Sequence, residues 1–329
     1  MKKGFYKKRS RFVNPHILSQ KRSFFDIILW QLGFYNDPKR LSDVPSTFQY
    51  PNIEKGIEEK RPQVTWINHS TFLVKVGNIH LLTDPIWSQR CSPLSFLGPK
   101  RLHPVPIQLD HLPSIDLILL SHDHYDHFDK KTLLYLQVNH PAATWIVPLG
   151  LRSRLKSFGI KQIVEMQWWD EVSIGLKGED ILITAVPAQH FSGRGLFDKN
   201  RTLWSGFVVD FSRKKMEGKR LYFVGDTGYN PNDFKAIGAQ FKTIDLSLIP
   251  IGTYVPRAFM DPVHISPNQA VAIHEDVRSQ LSIAMHWKTF RLSGEPIERP
   301  PYDLYCALKE REINSSAFRV LRPGQTINW

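Results

Sequence analysis

Between Ser121 and Asp129 the chain reads SHDHYDHFD, with three histidines and two aspartates in the six positions His122–His127. That density of ligand-type side chains is not core-building composition. Imidazole with carboxylate and no thiolate suits zinc, with manganese or iron as substitutes in a binuclear site. In an extended segment residues two apart face the same side, so His122 and His124 converge on one ion while Asp126 and His127, further along the turn, address a second. Two ions so placed make water a nucleophile at neutral pH by lowering its pKa from near ~16 toward about 7, which is the chemistry of hydrolysis. A polar loop whose histidines merely make hydrogen bonds is the plain alternative; it suits a lone histidine better than HxHxDH behind an apolar run.

The elements that must position these residues are readable on both sides. Leu117–Leu120 has the composition of a buried strand, and Asp129 before KKTLLYLQ has that of a helix N-cap, so the loop leaves the carboxyl end of a strand, where α/β proteins place their sites. Upstream, from Gln63, VTWI, TFLVKV and IHLLTD predict strands, the last two joined by a Gly77-Asn78 hairpin turn. Downstream come a helix over Lys130–Leu136, a strand over Ala143–Pro148, a helix around Leu151–Phe158, and strands at KQIVEM and EVSIGL. Three more apolar strands then end in polar residues: ILITAVPAQH delivers His190, LYFVGDTGY delivers Asp226, and LSIAMHW delivers His286. Thr227-Gly228 is a turn that would let the backbone approach a ligand closely. Two β-rich halves are expected, with HxHxDH and His190 in the first, Asp226 and His286 in the second, and the site where they meet.

HxHxDH on a strand-to-helix loop resembles the metal motif of the metallo-β-lactamase superfamily. More narrowly, TWINHST, LLTDPIWS, SPLSFLGPKR, LLSHDHYDH, VPAQHFSGRG, FVGDTGY, IPIGTY, PRAFM and AMHW are similar, in that order, to segments of the N-acylphosphatidylethanolamine-hydrolysing phospholipase D family, from about Val64 to Trp287. The resemblance implies an α/β protein, an αββα sandwich behind an N-terminal basic/amphipathic extension, holding two Zn2+ for which Mn2+ or Fe2+ are substitutes. It implies His122, His124, His190 and Asp226 as ligands of the first ion and Asp126, His127, Asp226 and His286 as ligands of the second, Asp226 bridging. It further implies that Asp84 braces the metal loop without ligating. Asp126 would orient the attacking water as well as ligate, and His264 would be a general acid or oxyanion stabiliser outside the ligand set. His69 is expected to be a buried, hydrogen-bonded histidine, the alternative being a place beside the metal loop. Tyr254, Arg257, Phe259 and Met260, with Leu94, Phe96 and Leu97, would line an apolar approach for acyl chains or else pack as core. Asn68 stands where the family has glycine, and Ser95-Phe96 where amide and phenol side chains are expected, so head-group recognition differs most.

At 329 residues, 42% hydrophobic and 22% charged, the chain has ample material for a buried core. No run of eighteen apolar residues occurs, which argues against a conventional membrane-spanning helix. Cys91 and Cys306 lie far apart without metal-type spacing, which predicts no disulfide framework and a reducing, cytoplasmic setting. The formal net charge is +12, and Lys2, Lys3, Lys7, Lys8, Arg9, Arg11, Lys21 and Arg22 all precede the first acidic residue, Asp26. This arm leads into Ser23–Asp37, where Phe25, Ile28, Leu29 and Leu32 recur at helical spacing. Arm and helix fit attachment to an anionic membrane inner face, each basic residue contributing about 1 kcal/mol, with docking on the domain as the equal alternative. Asp26, Gln31 and the lack of a small-residue cleavage site argue against a signal peptide. Lacking ordered aromatic interleaving, the arm would bind no specific nucleic acid. Residues 1–62 are thus expected to form arm, short apolar helix and extended connection, and residues 63–329 the hydrolase domain.

The function expected from the resemblance is that of a binuclear zinc hydrolase of the phospholipase D type, acting on a phosphodiester of an N-acylated phosphatidylethanolamine or a related amphiphile. The alternatives are a soluble phosphodiesterase or sugar-phosphate lactonase of the same fold, and a metallo-nuclease, which shares the metal motif but not SPLSFLGPKR or PRAFM. The sequence sets no oligomeric state.

Overall fold

The structure, a computed structural model, describes residues 7–8, 10–17, 44–51, 56–195, 197–211 and 218–329. The apolar segment Ser23–Asp37 and most of the basic arm lie outside the described residues. Strands β1 (Lys7–Lys8) and β2 (Arg11–Phe12) pair as a short antiparallel ladder. The domain then opens with β3 (Gln63–Asn68), β4 (Thr71–Val76) and β5 (Ile79–Thr83), an antiparallel meander. Its second turn is the expected Gly77-Asn78, with Val76 opposite Ile79 and Gly77 at φ 57°. From β5 the sheet continues in parallel through β6 (Leu117–Leu119), β7 (Thr144–Pro148) and β8 (Ile163–Met166), with helices Lys130–Asn139 and Arg152–Lys156 as crossovers. Asp129 caps the first of these helices, its carboxylate accepting from Lys131 N.

The second sheet repeats the plan. Strands β9 (Glu171–Leu176), β10 (Glu179–Val186), β11 (Gly206–Asp210) and β12 (Arg220–Phe223) are antiparallel. Strands β13 (Ile244–Pro250), β14 (Ser279–Met285) and β15 (Phe318–Arg319) follow in parallel, linked through helices Pro231–Phe241, Pro267–Asp276 and Arg299–Glu310. The last strand, β16 (Thr326–Asn328), returns to the first sheet beside β3. Among the described residues both sheets have seven strands, in the orders β16-β3-β4-β5-β6-β7-β8 and β15-β14-β13-β12-β11-β10-β9.

The two sheets pack face to face, with Trp66, Leu117, Leu119 and Ile146 of the first in one apolar cluster with Ile183, Phe207, Leu221 and Leu248 of the second. On the outer face Ile118, Leu120, Trp145 and Val147 pack under Leu133, Leu136 and Leu155 of the crossover helices. β6 is apolar at every position because both of its faces are covered, as parallel strands of layered α/β proteins require. Helices outside, two sheets inside: the fold is the αββα sandwich.

One expectation changes. His190 follows β10 and therefore belongs with the second sheet, not with HxHxDH in the first. The chain crosses between sheets at Gln167–Asp170, where Trp169 N bonds Ala185 O at 2.7 Å and Trp168 Nε1 bonds Trp204 O at 2.6 Å. The described parts of the N-terminal extension pack on this domain: Phe12, 5% exposed, sits among Trp168, Ala188, Leu203 and Trp204, and Phe48 meets the rings of Tyr302 and Tyr305.

Candidate metal centre

Four strands deliver the candidate residues at their carboxyl ends. β6 leads into His122–His127, β10 into His190, β12 into Asp226 and β14 into His286; the loop after β13 carries His264. The first two strands named belong to different sheets, so the site straddles the seam between them.

Four of the imidazoles are aimed by a partner on Nδ1. His127 Nδ1 lies 2.6 Å from Asp84 Oδ2, His190 Nδ1 donates to the Val263 carbonyl at 2.8 Å, His122 Nδ1 meets Ser121 Oγ at 2.8 Å, and His286 Nδ1 meets Thr253 Oγ1 at 3.2 Å. Every one of these leaves Nε2 facing inward, the arrangement in which outer partners fix the tautomer of a ligating histidine. Asp84 also accepts from Ser121 N at 2.7 Å, so it touches the loop's backbone and His127 together. The far side of the loop is held by Arg154 on Asp123 at 2.7 Å, Gly193 N on Asp123 at 2.8 Å, and Arg194, which donates to the carbonyls of Asp123 and Phe128 at 2.7 and 2.9 Å.

Two groups of inward atoms result. In one, His124 Nδ1 stands 2.9 Å from His122 Nε2 and 3.2 Å from His190 Nε2. In the other, His127 Nε2 is 3.2 Å from Asp126 Oδ2 and 3.3 Å from Asp226 Oδ2, and His286 Nε2 is 3.4 and 3.1 Å from the same two oxygens. A tetrahedral ion with bonds of about 2.0–2.1 Å separates its ligand atoms by about 3.3 Å, which is the spacing of the second group. His127 Nε2, His286 Nε2 and Asp226 Oδ1 are buried without hydrogen-bond partners, as atoms awaiting a cation are. Asp226 Oδ2 reaches the first group as well, 3.7 Å from His190 Nε2 and 4.0 Å from His122 Nε2. The residues fit a pair of ions with one shared carboxylate.

The electrostatics agree. Burial lowers His190 and His264 to about 3 and His124 to about 4, and burial with the neighbouring imidazoles holds His122 well below the ordinary value, so these rings are neutral and offer lone pairs. Burial opposes charge on His127 and His286 too, yet Asp226 and Asp126 raise His127 well above the ordinary imidazole value and His286 to about 9. The same contacts hold both carboxyls well below their ordinary range against the burial that would raise them. A divalent cation entering there would displace imidazole protons, which couples metal binding to pH.

His264 stands back from the second group, Nδ1 3.9 Å from Asp226 Oδ2 and without a hydrogen-bond partner, its side chain 12% exposed. Gly228, expected to approach a ligand, instead passes the loop that carries His264: a Cβ there would lie 2.4 Å from the Pro262 carbonyl oxygen. Of the residues expected to line an apolar approach, Phe96 is 75% exposed, with Leu94 and Leu97 exposed beside it, and Phe259 is half-buried. Tyr254 is 4% exposed and its hydroxyl donates to Asp303 of the helix Arg299–Glu310, while Met260 is buried; these two are packing. Arg257 donates to the His264 carbonyl at 3.2 Å and so steadies that loop.

His69 is buried and hydrogen-bonded, as expected, and it also takes the alternative place beside the metal loop. Its Nε2 lies 3.0 Å from Asp126 Oδ2, and its ring centroid is 4.1 Å from that of His286. Asn68-His69-Ser70-Thr71, four polar residues at a hairpin, has the look of an exposed turn, yet all four are buried. A polar tetrad where VTWI passes into FLVKV was the available signal.

A two-sheet sandwich with His/Asp clusters at its strand ends defines a metal-dependent hydrolase, and residues 80–287 match the Beta-lactamase superfamily domain. N-acyl-phosphatidylethanolamine-hydrolyzing phospholipase D 1 of Caenorhabditis elegans is 38% identical over 92% of this chain and 86% of its own. The mitochondrial N-acyl-phosphatidylethanolamine-hydrolyzing phospholipase D of Saccharomyces cerevisiae is 35% identical over 72% of this chain and 49% of its own. Among solved structures, a metallo hydrolase of the archaeon Ignicoccus hospitalis shares the fold, with a TM-score of 0.60 at 21% identity over 82% of this chain and 98% of that one. The chain belongs to the metallo-β-lactamase superfamily, and within it to the N-acylphosphatidylethanolamine-hydrolysing phospholipase D-like family.

Proposed function

We propose that this protein is a binuclear zinc phosphodiesterase of the phospholipase D type, which cleaves an N-acylated phosphatidylethanolamine or a related amphiphile on the distal, phosphate-to-ethanolamine side. The observation that carries the two-ion reading is Asp226 Oδ2, which stands within 4.0 Å of imidazole nitrogens from both groups. His122, His124, His190 and Asp226 would hold one ion, and Asp126, His127, Asp226 and His286 the other. Imidazole and carboxylate donors at tetrahedral spacing favour zinc, with Mn2+ or Fe2+ able to substitute.

Bound there, the ions would supply a water nucleophile at neutral pH and neutralise charge building on the phosphate. Asp84 keeps the proton of His127 on Nδ1. Asp126, half-buried at the mouth, orients the attacking water. His264, neutral because burial depresses it, donates an N–H to the oxygen that gains charge, which makes it an oxyanion stabiliser in preference to an imidazolium acid. The relatives' names support the lipid substrate.

Attachment to an anionic membrane surface is supported by the net charge of +12 and by exposed Phe96, Leu97 and Leu102, near Arg90 and Lys100 in the sequence. Among the described residues no helix is long and apolar enough to cross a membrane. Zinc content of the purified protein, measured beside turnover of a fluorogenic N-acylated phospholipid in liposomes and of a short soluble phosphodiester, tests the proposal. Two equivalents of zinc with preferential cleavage of the lipid are expected; preference for the soluble ester, or for a nucleic acid, would refute the substrate class. Charge reversal at Lys2, Lys3, Lys7 and Lys8 tests the membrane arm better than deleting it, because Phe12 and Asn14, whose Nδ2 donates to the His190 carbonyl at 2.7 Å, belong to the packed domain.

A further inference from the structure

His69 closes the β3–β4 hairpin, where a register shift between Trp66 and Asn68 puts it in the left-handed region at φ 43°, a conformation that costs about 1–3 kcal/mol for a residue other than glycine. Three bonds hold it there. Its N–H donates to Thr289 Oγ1 at 2.7 Å, and its carbonyl accepts from Trp66 Nε1 and from His286 N, each at 3.0 Å. They tie the first sheet to the end of β14 in the second and turn the imidazole inward, with Nε2 3.0 Å from Asp126 Oδ2 and Nδ1 buried without a partner.

Two roles suit such a ring: a ligand in the cluster it forms with Asp126, His127 and His286, whose ligand atoms lie within 4.8 Å of one another, or a donor to Asp126. Nδ1 separates them. A histidine ligating through Nε2 carries its proton on Nδ1 and needs an acceptor there. His127 has Asp84 and His190 has the Val263 carbonyl. His69 has none, so ligation would bury a bare N–H. With the proton on Nε2, the same ring makes a charge-assisted bond to a carboxylate and leaves only a lone pair unpartnered.

We propose that His69 is a positioning residue for Asp126: its Nε2–H pins Oδ2 and so decides how the carboxylate faces the second ion and the attacking water. The inference rests on the two-ion reading above. Asp126 is the one candidate ligand in the second group whose side chain reaches solvent, and His69 is the bond that keeps it from swinging out.

The test compares His69→Asn with His69→Gln in the full-length protein. Asparagine tolerates the left-handed backbone but its amide is too short to reach Asp126; the glutamine amide N–H reaches about as far as Nε2. The readouts are zinc affinity by chelator competition, and kcat and KM on a fluorogenic N-acylated phospholipid. Asn is expected to weaken one of two ions at least tenfold and lower kcat with KM unchanged, and Gln to restore most of both. Wild-type affinity and kcat in His69→Asn would overturn the proposal, as would a His69→Gln protein that loses the ion as fully as Asn, which would make His69 a ligand. A wild-type protein that binds fewer than two ions would instead refute the two-ion reading itself.

Discussion

Replacing Asp84 by asparagine should weaken one metal ion selectively, although Asp84 is expected to touch no metal. In the native centre Oδ1 accepts from Ser121 N at 2.7 Å, while Oδ2 takes the hydroxyl of Ser121 and the Nδ1–H of His127 at 2.6 Å. Asparagine can keep the first bond, but its NH2 then stands where Oδ2 was and cannot accept from His127. The ring is left to carry its proton on Nε2, the atom 3.2 and 3.3 Å from Asp126 and Asp226, and its lone pair no longer points at the ion. Loss of an outer partner of this kind costs about 10–100-fold in metal affinity, or about 1.4–2.7 kcal/mol. The cost should fall on the ion held by His127, since the tie from Asp84 to the other group runs only through Ser121 Oγ, 2.8 Å from His122 Nδ1. Chelator competition on purified Asp84→Asn protein, with circular dichroism to confirm folding, measures both dissociation constants. Two unchanged constants, or an equal loss in both, would refute the reasoning.

Asp226→Asn should weaken both ions together, because the same oxygen faces both groups; a variant that keeps two equivalents of zinc and full turnover would remove Asp226 as the bridge. His264→Ala should cost on the order of 10²-fold in kcat with zinc content unchanged, and zinc loss would make His264 a ligand. Phe12→Ala should cost about 3–5 kcal/mol if the N-terminal segment is part of the cooperative fold, read as a fall in the denaturation midpoint; an unchanged midpoint would make that segment a loose attachment. Removing metal with a chelator should lower Tm, since a ligand bound only to the native state stabilises it in proportion to RT ln(1 + [L]/Kd), and an unchanged Tm would mean that the centre forms without ions.

The strands and their terminal residues were legible because each candidate ligand follows an apolar run long enough to be a buried strand, and because HxHxDH is too dense for packing. Asp84, at the end of β5, was legible only through the family resemblance. Two features were hidden. His190 reads with the first half because the chain changes sheets at Trp168-Trp169 without a glycine or proline linker to mark the passage. His69 is buried and hydrogen-bonded as expected, but its contact with Asp126 is not legible, because it depends on what the other sheet lays over the hairpin, here Thr289 and His286, some two hundred residues away in the chain. Phe12 was hidden among basic residues that read as a free arm, although the pocket it fills is built from two tryptophans of the domain. The helix starts Asn230-Pro231 and Ser266-Pro267, with Gln269 completing a capping box, carried signals readable from the sequence.

Because His122, His124, Asp126 and His127 come from the first sheet and His190, Asp226 and His286 from the second, neither of the two proposed ions would have a complete ligand set until the sheets have packed. The seam is enforced from behind by Trp66 of β3 stacked on Trp287, rings 5.5 Å apart and 10° from parallel, and by the His286 N to His69 carbonyl bond. A shift of one sheet against the other would therefore open the 3.1–3.4 Å contacts of the second group before it exposed the apolar core. The spacing of the candidate ligands is thus a reading of how well the two halves fit, and substitutions in the Trp66–Trp287 stack would act on metal affinity through the same geometry that those residues share.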